Sequence, residues 1–388
     1  MIAKSDHSIT PNMSENIYMD YNATAPIKDA VIKVMVDAMA HVGNASSVHA
    51  SGRNARKIIE EARVKVAALI NARPRDVVFT SGGTEANNTI LKGAGVASLI
   101  VSKIEHDSVL AAALSQDIPV YYINVDESGV ICLENLRELL KIAPQPALIS
   151  VMLVNNEIGT IEPISDCSSL AAEYGAKVHC DGVQAFGKIE INFPALGVDY
   201  LTLSAHKMGG PQGIGAIILK PSAPLKATLQ GGGQELGRRS GTENVTAIAG
   251  FGVAAIEAFG DIAGIDTIRT LRDRLEVGIR KIGNDIIIVA DKTDRIANTS
   301  CIILPNISGE TQVMHFDLAG ISLSSGSACS SGKVKSSHVL SALGLEDRLA
   351  NSSIRVSIGR MTTSADVDKF LNVYAGLYEH TAKRRNNA

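Results

Sequence analysis

No two cysteines in this chain are spaced C-x-x-C. The five that occur, Cys132, Cys167, Cys180, Cys301 and Cys329, are scattered. This argues against structural zinc and against a disulfide framework, and it suits a reducing compartment. No apolar run reaches the roughly 18–20 residues of a membrane span. The opening stretch MIAKSDHSITPNMSEN lacks the hydrophobic core of a secretory signal. A cytoplasmic protein without a membrane partner is therefore expected. Neither sign of charge is in excess: 37 Lys and Arg against 40 Asp and Glu leave −3, which gives no electrostatic case for nucleic acid. The one basic cluster, Lys383 to Arg385, suits the end of a helix, where cations complement the dipole. The chain also lacks internal repeats and low-complexity tracts. It has no G-x-x-x-x-G-K-[ST], and no G-x-G-x-x-G opens a strand–helix–strand unit, which disfavours a nucleotide fold.

What is present is an alternation. VVF (77–79), SLIVS (98–102), VYYINV (120–125), LISVMLV (148–154), KVHC (177–180), YLTLS (200–204) and GAIILK (215–220) read as strands. Amphipathic stretches such as 86–95, 106–114 and 165–174 lie between several of them. Strands alternating with helical patterns predict a mainly parallel sheet covered by helices, an α/β fold. After a long helical segment over 253–282 the strand candidates DIIIVA, TSCIIL and SIRVSI are more widely spaced, with helices near 312–319, 336–342 and 364–382. The expected organisation is a polar extension over 1–16, a large α/β domain over 17–258, and a smaller α+β domain over 259–388 carrying a cysteine loop at 324–335. The glycine-rich LQGGGQELGRRSGTEN (229–244) is either a linker or a functional clamp.

Four strand ends carry residues suited to one chemistry. FTSGGTEANN opens a helix after a strand, so Gly83, Thr84 and the first free N–H groups suit a phosphate; the alternative is an ordinary turn capped by Thr84 or Ser81. LTLSAHKMGG sets Ser204, His206 and Lys207 just past a strand, where α/β sheets bind ligands and a lysine can form a Schiff base; an exposed turn lysine is the bland reading. Asp181, ending the strand in VHCDGVQAFGK, suits the nitrogen of a pyridinium ring or a helix cap. His106 suits stacking and proton relay, or plain structure. Phosphate cradle, ring partners and amine together point to pyridoxal 5′-phosphate.

Ten segments in order, from YMDYNATAP through GNASSVH, FTSGGTEANN, EHDSVL, VNNEIGTIEPI, HCDGVQAFGK, SAHKMGGPQGIG, GGGQELGRRSGTEN and SSGSACSSGK to SIRVSIGRMTT, span about 18–363. By these the chain resembles group I cysteine desulfurases, NifS- and IscS-like fold-type I enzymes of the class V aminotransferase superfamily. The resemblance implies a seven-stranded, mainly parallel sheet in the large domain. It implies that Lys207 attaches the cofactor and moves the Cα proton, that His106 stacks on its ring, Asp181 pairs with its nitrogen and Gln184 bonds its phenolic oxygen. Gly83, Thr84, Ser204 and His206 would hold the phosphate, with Thr242 reaching in from the second subunit of a homodimer. Asn156 and Arg355 would orient L-cysteine. Cys329 would attack its sulfur, with His106 as the acceptor of the thiol proton. The persulfide on Cys329 would pass to an iron–sulfur scaffold or a sulfur carrier. No metal is implied beyond Cys329 as a transient iron–sulfur ligand. Ala45 stands where the family usually has proline and Gln212 where lysine is commoner. The segment around LKGAGVASLIVS is shorter than in many relatives, and so is the C-terminal tail by which some of them contact a scaffold.

Two other readings share these residues: a selenocysteine lyase or transaminase of the same fold, in which Cys329 is dispensable, and a non-catalytic assembly protein that has kept the fold. SSGSACSS, 324–331, places Cys329 among small residues, which suits a thiol that must travel.

Overall fold

The computed structural model describes residues 16–326 and 336–386, with side chains as far as Thr381; the extension before Asn16, Cys329 and the side chains of Lys383 to Arg385 lie outside the described residues. Seven strands form the main sheet: β1 Val77–Thr80, β2 Ser98–Ser102, β3 Val120–Ile123, β4 Ala147–Met152, β5 Lys177–Asp181, β6 Tyr200–Ser204 and β7 Gly215–Leu219. Their spatial order is β1-β7-β6-β5-β4-β2-β3. Only β7 opposes its neighbours, pairing antiparallel with both β1 and β6, while the remaining pairs are parallel. Six strands therefore deliver their carboxyl ends to one edge.

Side chains that alternate along each strand fill two cores, as the two-residue period requires. Two helices, α1 Asp29–Met39 and α2 Ala50–Ala68, precede the sheet in the chain. Leu99 and Val101 of β2 and Leu148 of β4 pack on one face with Ile90 and Leu91 of α3 (Gly83–Gly93) and Val109 of α4 (Asp107–Leu114). Ile100, Ile149 and Val151 face the other way, toward Ile59 and Val66 of a helix spanning Ala50–Ala68 and Phe251 of a helix spanning Val245–Ala263. By length and composition the latter helix is apolar enough to cross a membrane. Its Ala247, Ile248, Phe251, Ala254, Ala255 and Ala258 are buried in this core, so its apolar character serves packing. It ends at Ala263, and a new helix, Ile265–Ile282, starts beyond Gly264; the single helix expected over 253–282 is two. The first of them runs through the division expected between 258 and 259.

The C-terminal part carries a four-stranded antiparallel sheet: β8 Ile287–Ile288, β9 Thr299–Ile303, β10 Ser324–Ser325 and β11 Ser353–Ser357, in the order β10-β11-β9-β8. Its core joins Leu275 and Ile279 to Phe316, Phe370 and Tyr374, with the Phe316 and Phe370 rings stacked at 4.9 Å. The first described residues belong with this part: Ile17–Tyr18 pairs with Ile321–Ser322, Met19 enters the same core, and Asp20 bridges to Ser357. The chain then crosses to the large sheet.

The glycine-rich segment 229–244 is tied down. Glu235 accepts two hydrogen bonds from Arg63, at 2.8 and 2.7 Å, and one from the Phe79 N–H at 2.9 Å; Arg239 Nε donates to Glu85 at 2.8 Å. Both pairs anchor it to the edge of the sheet and to the start of α3, so it is a clamp rather than a loose linker.

Candidate functional site

The carboxyl ends of the parallel strands surround a cavity of about 330 Å³, the size of a small-molecule site. Ten of the twelve residues nominated from the sequence line it: Gly83, Thr84, His106, Asn156, Asp181, Gln184, Ser204, His206, Lys207 and Arg355. Thr242 lies elsewhere, exposed on the loop before the Val245–Ala263 helix. Cys329 is outside the described residues.

One wall is the start of α3. Its cap is Gly82, at φ +157°, with no side-chain cap, so neither Thr84 nor Ser81 plays that part. The first N–H groups of a helix have no partner within it and carry the positive end of its dipole. Thr84 in that first turn and Ser204 at the end of β6 line the same cavity. A Cβ on Gly83 would come within 3.0 Å of Val183 Cγ2, so the glycine lets the helix start sit against the strand ends. His206 Nδ1 lies 3.2 Å from Thr24 Oγ1. Burial, reinforced by the charges of Lys207 and Lys188, lowers the His206 pKa to about 4, so its imidazole is neutral near pH 7. Neutral donors around a helix terminus make a cradle for an anion.

The opposite wall is a chain of hydrogen bonds. Asn87 Nδ2 donates to Asp181 Oδ2 at 2.8 Å and to Ser108 Oγ at 2.9 Å, while the Val183 N–H donates to Asp181 Oδ1 at 2.9 Å. His106 caps α4: its Nδ1 accepts the Ser108 N–H at 3.1 Å, with Ser108 Oγ at 2.8 Å. An N–H only donates, so Nδ1 is the acceptor and a neutral His106 carries its proton on Nε2. Nδ1 is thus committed to Ser108, and Nε2 is the ring nitrogen left for other partners.

Beneath Asp181 the buried His179 sits between Ser150 Oγ at 2.8 Å and Thr202 Oγ1 at 3.0 Å. Burial lowers its pKa to about 4, with Asp181 pulling in the other direction. The unfolded chain binds this proton near pH 6.5 and the folded chain only near pH 4, so acidification through that window favours unfolding. Stability is expected to fall by about 3 kcal/mol from this group as the pH drops from about 7 to about 4. Urea unfolding across that range is the check, and His179→Gln is expected to flatten the slope. Equal slopes in the two proteins would refute the assignment.

Lys207 Nζ donates to the carbonyls of Asn22, at 2.6 Å, and Ala23, at 2.8 Å. Asn22 is in turn fixed by Ser357 Oγ, which accepts its N–H at 2.9 Å, and by its Nδ2 donating to Thr299 Oγ1 at 2.8 Å and the Asn156 carbonyl at 3.1 Å. Arg355 on β11 donates to Asp20 Oδ1 at 2.9 Å and to the Asn156 carbonyl at 3.2 Å. Its buried Nε has no partner among the described residues. The two described flanks of the Cys329 segment meet the same region. Ser324 lines the cavity and donates to Asp20 Oδ2 at 2.8 Å. Ser337 Oγ donates to Glu157 at 2.5 Å, and His338 Nε2 lies 2.9 Å from the Glu105 carbonyl.

Asn22, Asn87, Ser108 and Lys188 take part in this site and were not singled out from the sequence. Asn87 had a legible signal: it falls four residues after Gly83, on the same helix face. Asn22 had none, because the group that receives Lys207 is its backbone carbonyl.

The chain as a whole has counterparts among known proteins. The description "Aminotransferase class-V" fits residues 17–370. A cysteine desulfurase IscS of Dictyoglomus turgidum is 38% identical over 378 residues, 95% of each chain. Among solved structures, a NifS-like protein from Rickettsia africae superposes with a TM-score of 0.87 at 36% identity, over 94% of this chain and 99% of the other. A chain described as SspA in complex with cysteine superposes with a TM-score of 0.76 at 31% identity, over 89% of this chain and all of the other. The mainly parallel sheet, the ligand-sized cavity at its carboxyl edge and this likeness over nearly the full length agree: the chain belongs to the aminotransferase class-V family.

Proposed function

We propose that the protein is a cysteine desulfurase that takes sulfur from L-cysteine, releases L-alanine, and carries the sulfur as a persulfide on Cys329. The observation that carries the reading is the convergence of ten nominated residues, from separate strand ends, on one cavity. The relatives named above point to the same reaction, and one of them was solved with cysteine.

The donor set fits pyridoxal 5′-phosphate. The α3 terminus, Thr84, Ser204 and His206 suit its phosphate, with Thr242 of a second subunit completing the cradle in a homodimer. Asp181, oriented by Asn87 and the Val183 N–H, suits its ring nitrogen; Gln184 suits its phenolic oxygen and His106 its ring face. Asn87 Oδ1, buried without a partner among the described residues, lies in the same wall. When bound, the group supplies a sink for the electrons left when the substrate Cα loses its proton.

The chain's own residues do the rest. Arg355 holds the substrate carboxylate with its planar fork, its Nε having no partner among the described residues and its Nη2 being held by Asp20. Lys207 attaches the cofactor, then removes and returns protons as a general base and acid. The Cys329 thiolate attacks the substrate sulfur. The carbon–sulfur bond breaks, the carbon keeps its electron pair and gains a proton, and a sulfur–sulfur bond forms on Cys329. Cys329 lies three residues beyond Gly326, a span of at most about 11 Å. The sulfur then leaves to an acceptor of its own, an iron–sulfur scaffold or a sulfur carrier. The four described cysteines are all unpaired, in keeping with a reducing cytoplasm as the setting.

The test is direct. The purified chain, loaded with pyridoxal 5′-phosphate and given L-cysteine, is expected to produce alanine and to gain one sulfur atom on the tryptic peptide containing Cys329, read by mass spectrometry. Alanine or pyruvate without a protein persulfide would reject the desulfurase.

A further inference from the structure

Four residues beyond Gln184 lies a half-buried lysine that bonds back to it. Lys188 Nζ donates to Gln184 Oε1 at 2.8 Å and to Asn22 Oδ1 at 3.1 Å. Gln184 Nε2 donates to the Asn22 carbonyl at 2.9 Å, the same oxygen that receives Lys207 Nζ at 2.6 Å. The amine donates to both oxygens, and the two ends of a carboxamide are nearly identical in shape. With the Gln184 oxygen committed to Lys188, its nitrogen must face Asn22 and the cavity. Without Lys188 the Asn22 carbonyl, already shared with Lys207, is left alone to hold the amide in this orientation, and a turned amide would put its oxygen toward whatever acceptor occupies the cavity.

The charged and titratable groups around this amine are cationic or basic: Lys207 and His206 on the turn after β6, and Arg355 on β11. Among the described residues no carboxylate forms an ion pair with it. Burial first, and then the charges of Lys207 and Arg355, hold its pKa well below that of an ordinary lysine. A buried group of this kind is costly to keep, yet nothing in the proposed reaction employs it directly.

We propose that Lys188 is a positioning residue of the site: its amine fixes the Gln184 carboxamide with the nitrogen as donor toward the cavity, and thereby lowers the proton affinity of the cofactor-bearing nitrogen of Lys207. This rests on the cofactor assignment made above. A donor held against the cofactor's phenolic oxygen draws electron density from the neighbouring nitrogen and weakens its hold on a proton. Losing the donor strengthens it.

The experiment follows the visible absorbance of the pyridoxal 5′-phosphate-loaded protein across the neutral and alkaline pH range. Lys188→Met is expected to move the titration midpoint upward by about half to one unit, a three- to tenfold rise in proton affinity. Lys188→Gln, which still offers a neutral donor, is expected to lie nearer the wild type. Gln184→Ala is expected to move the midpoint upward too, and adding Lys188→Met to it should produce no further shift, because the lysine acts through the amide. An unchanged midpoint in Lys188→Met overturns the proposal. So does a full additional shift in the double variant, which would mean a direct charge effect or a purely structural role. If Lys188→Met does not fold, Lys188→Leu, which likewise removes the donor, decides by the same criteria, alone and with Gln184→Ala. A wild-type chain that gains no visible band overturns the cofactor assignment and this inference together; a wild-type band with unresponsive variants overturns this inference alone.

Discussion

Lys207→Ala is expected to abolish desulfuration, slowing alanine formation by at least about a thousandfold, within the 10²–10⁴ range for a lost proton-transfer group and compounded by loss of the attachment point. Lys207 leaves the end of β6 in a short 3₁₀ turn, Ala205–Met208, that closes at Gly209 in the left-handed region, at φ +81°. A Cβ on Gly209 would lie 3.0 Å from Lys28 Cγ and from the Pro26 carbonyl, so the turn is packed as well as shaped. Its amine is then held by two backbone carbonyls that no side-chain substitution removes. Nothing else at that position reaches the same point. Lys188 has its own acceptors, Gln184 and Asn22, so it is not expected to stand in. Stopped-flow absorbance with L-cysteine and amino-acid analysis of the product are the measurements. Alanine formation within tenfold of the wild type would show that Lys207 is not the base.

Cys329→Ala is expected to separate two halves of the reaction that Lys207→Ala would remove together. Cofactor binding and the spectral response to L-cysteine should survive, because the described residues of the cavity are untouched. The protein persulfide should vanish, and with it transfer to any acceptor. Alanine formation should fall to the level at which a small added thiol can replace the missing one, since the attacking sulfur must be a thiolate close to its target. If alanine formation persists undiminished without Cys329, the selenocysteine lyase or transaminase reading replaces the desulfurase. The thiolate's proton needs a destination, and the capping role of His106 argues that it is not the Nδ1 of that ring.

The strands could be read because each is a short apolar run bounded by turn residues: 98–102 and 200–204 match the structure residue for residue. The helices Asp29–Met39 and Ala50–Ala68 were not read. The second carries a polar sequence, with only Ala55, Ile59, Ala62, Val66 and their neighbours facing the core, and it is capped by His49 rather than by a usual capping residue. The site's ten lining residues came from motif and resemblance, whereas their supports did not. Asn22 works through a carbonyl, Ser108 through an N–H and a hydroxyl, and Lys188 through a buried amine whose type suggests the surface. Such roles depend on which distant atoms meet, and a local pattern does not encode that. SSGSACSS was also only half understood. Gly326 sits where a Cβ would come within 2.0 Å of Ser353 Oγ, and its N–H donates to the Ser353 carbonyl at 3.1 Å, so this glycine is there for close packing against β11 rather than for looseness.

Asn22 has a bearing on how the protein is made. The oxygen that receives Lys207 belongs to the first described turn of the chain, but Ser357, which holds the Asn22 backbone, is 335 residues away. A ribosome adding 5–20 residues per second needs roughly 17–67 s to cover that distance. From Lys207 to Ser357, roughly 8–30 s at that rate, the nascent large sheet has its lysine in place and no fixed acceptor for it. The amine acquires its final setting only as synthesis nears completion, so an emerging chain is expected to become competent for its cofactor late, and all at once.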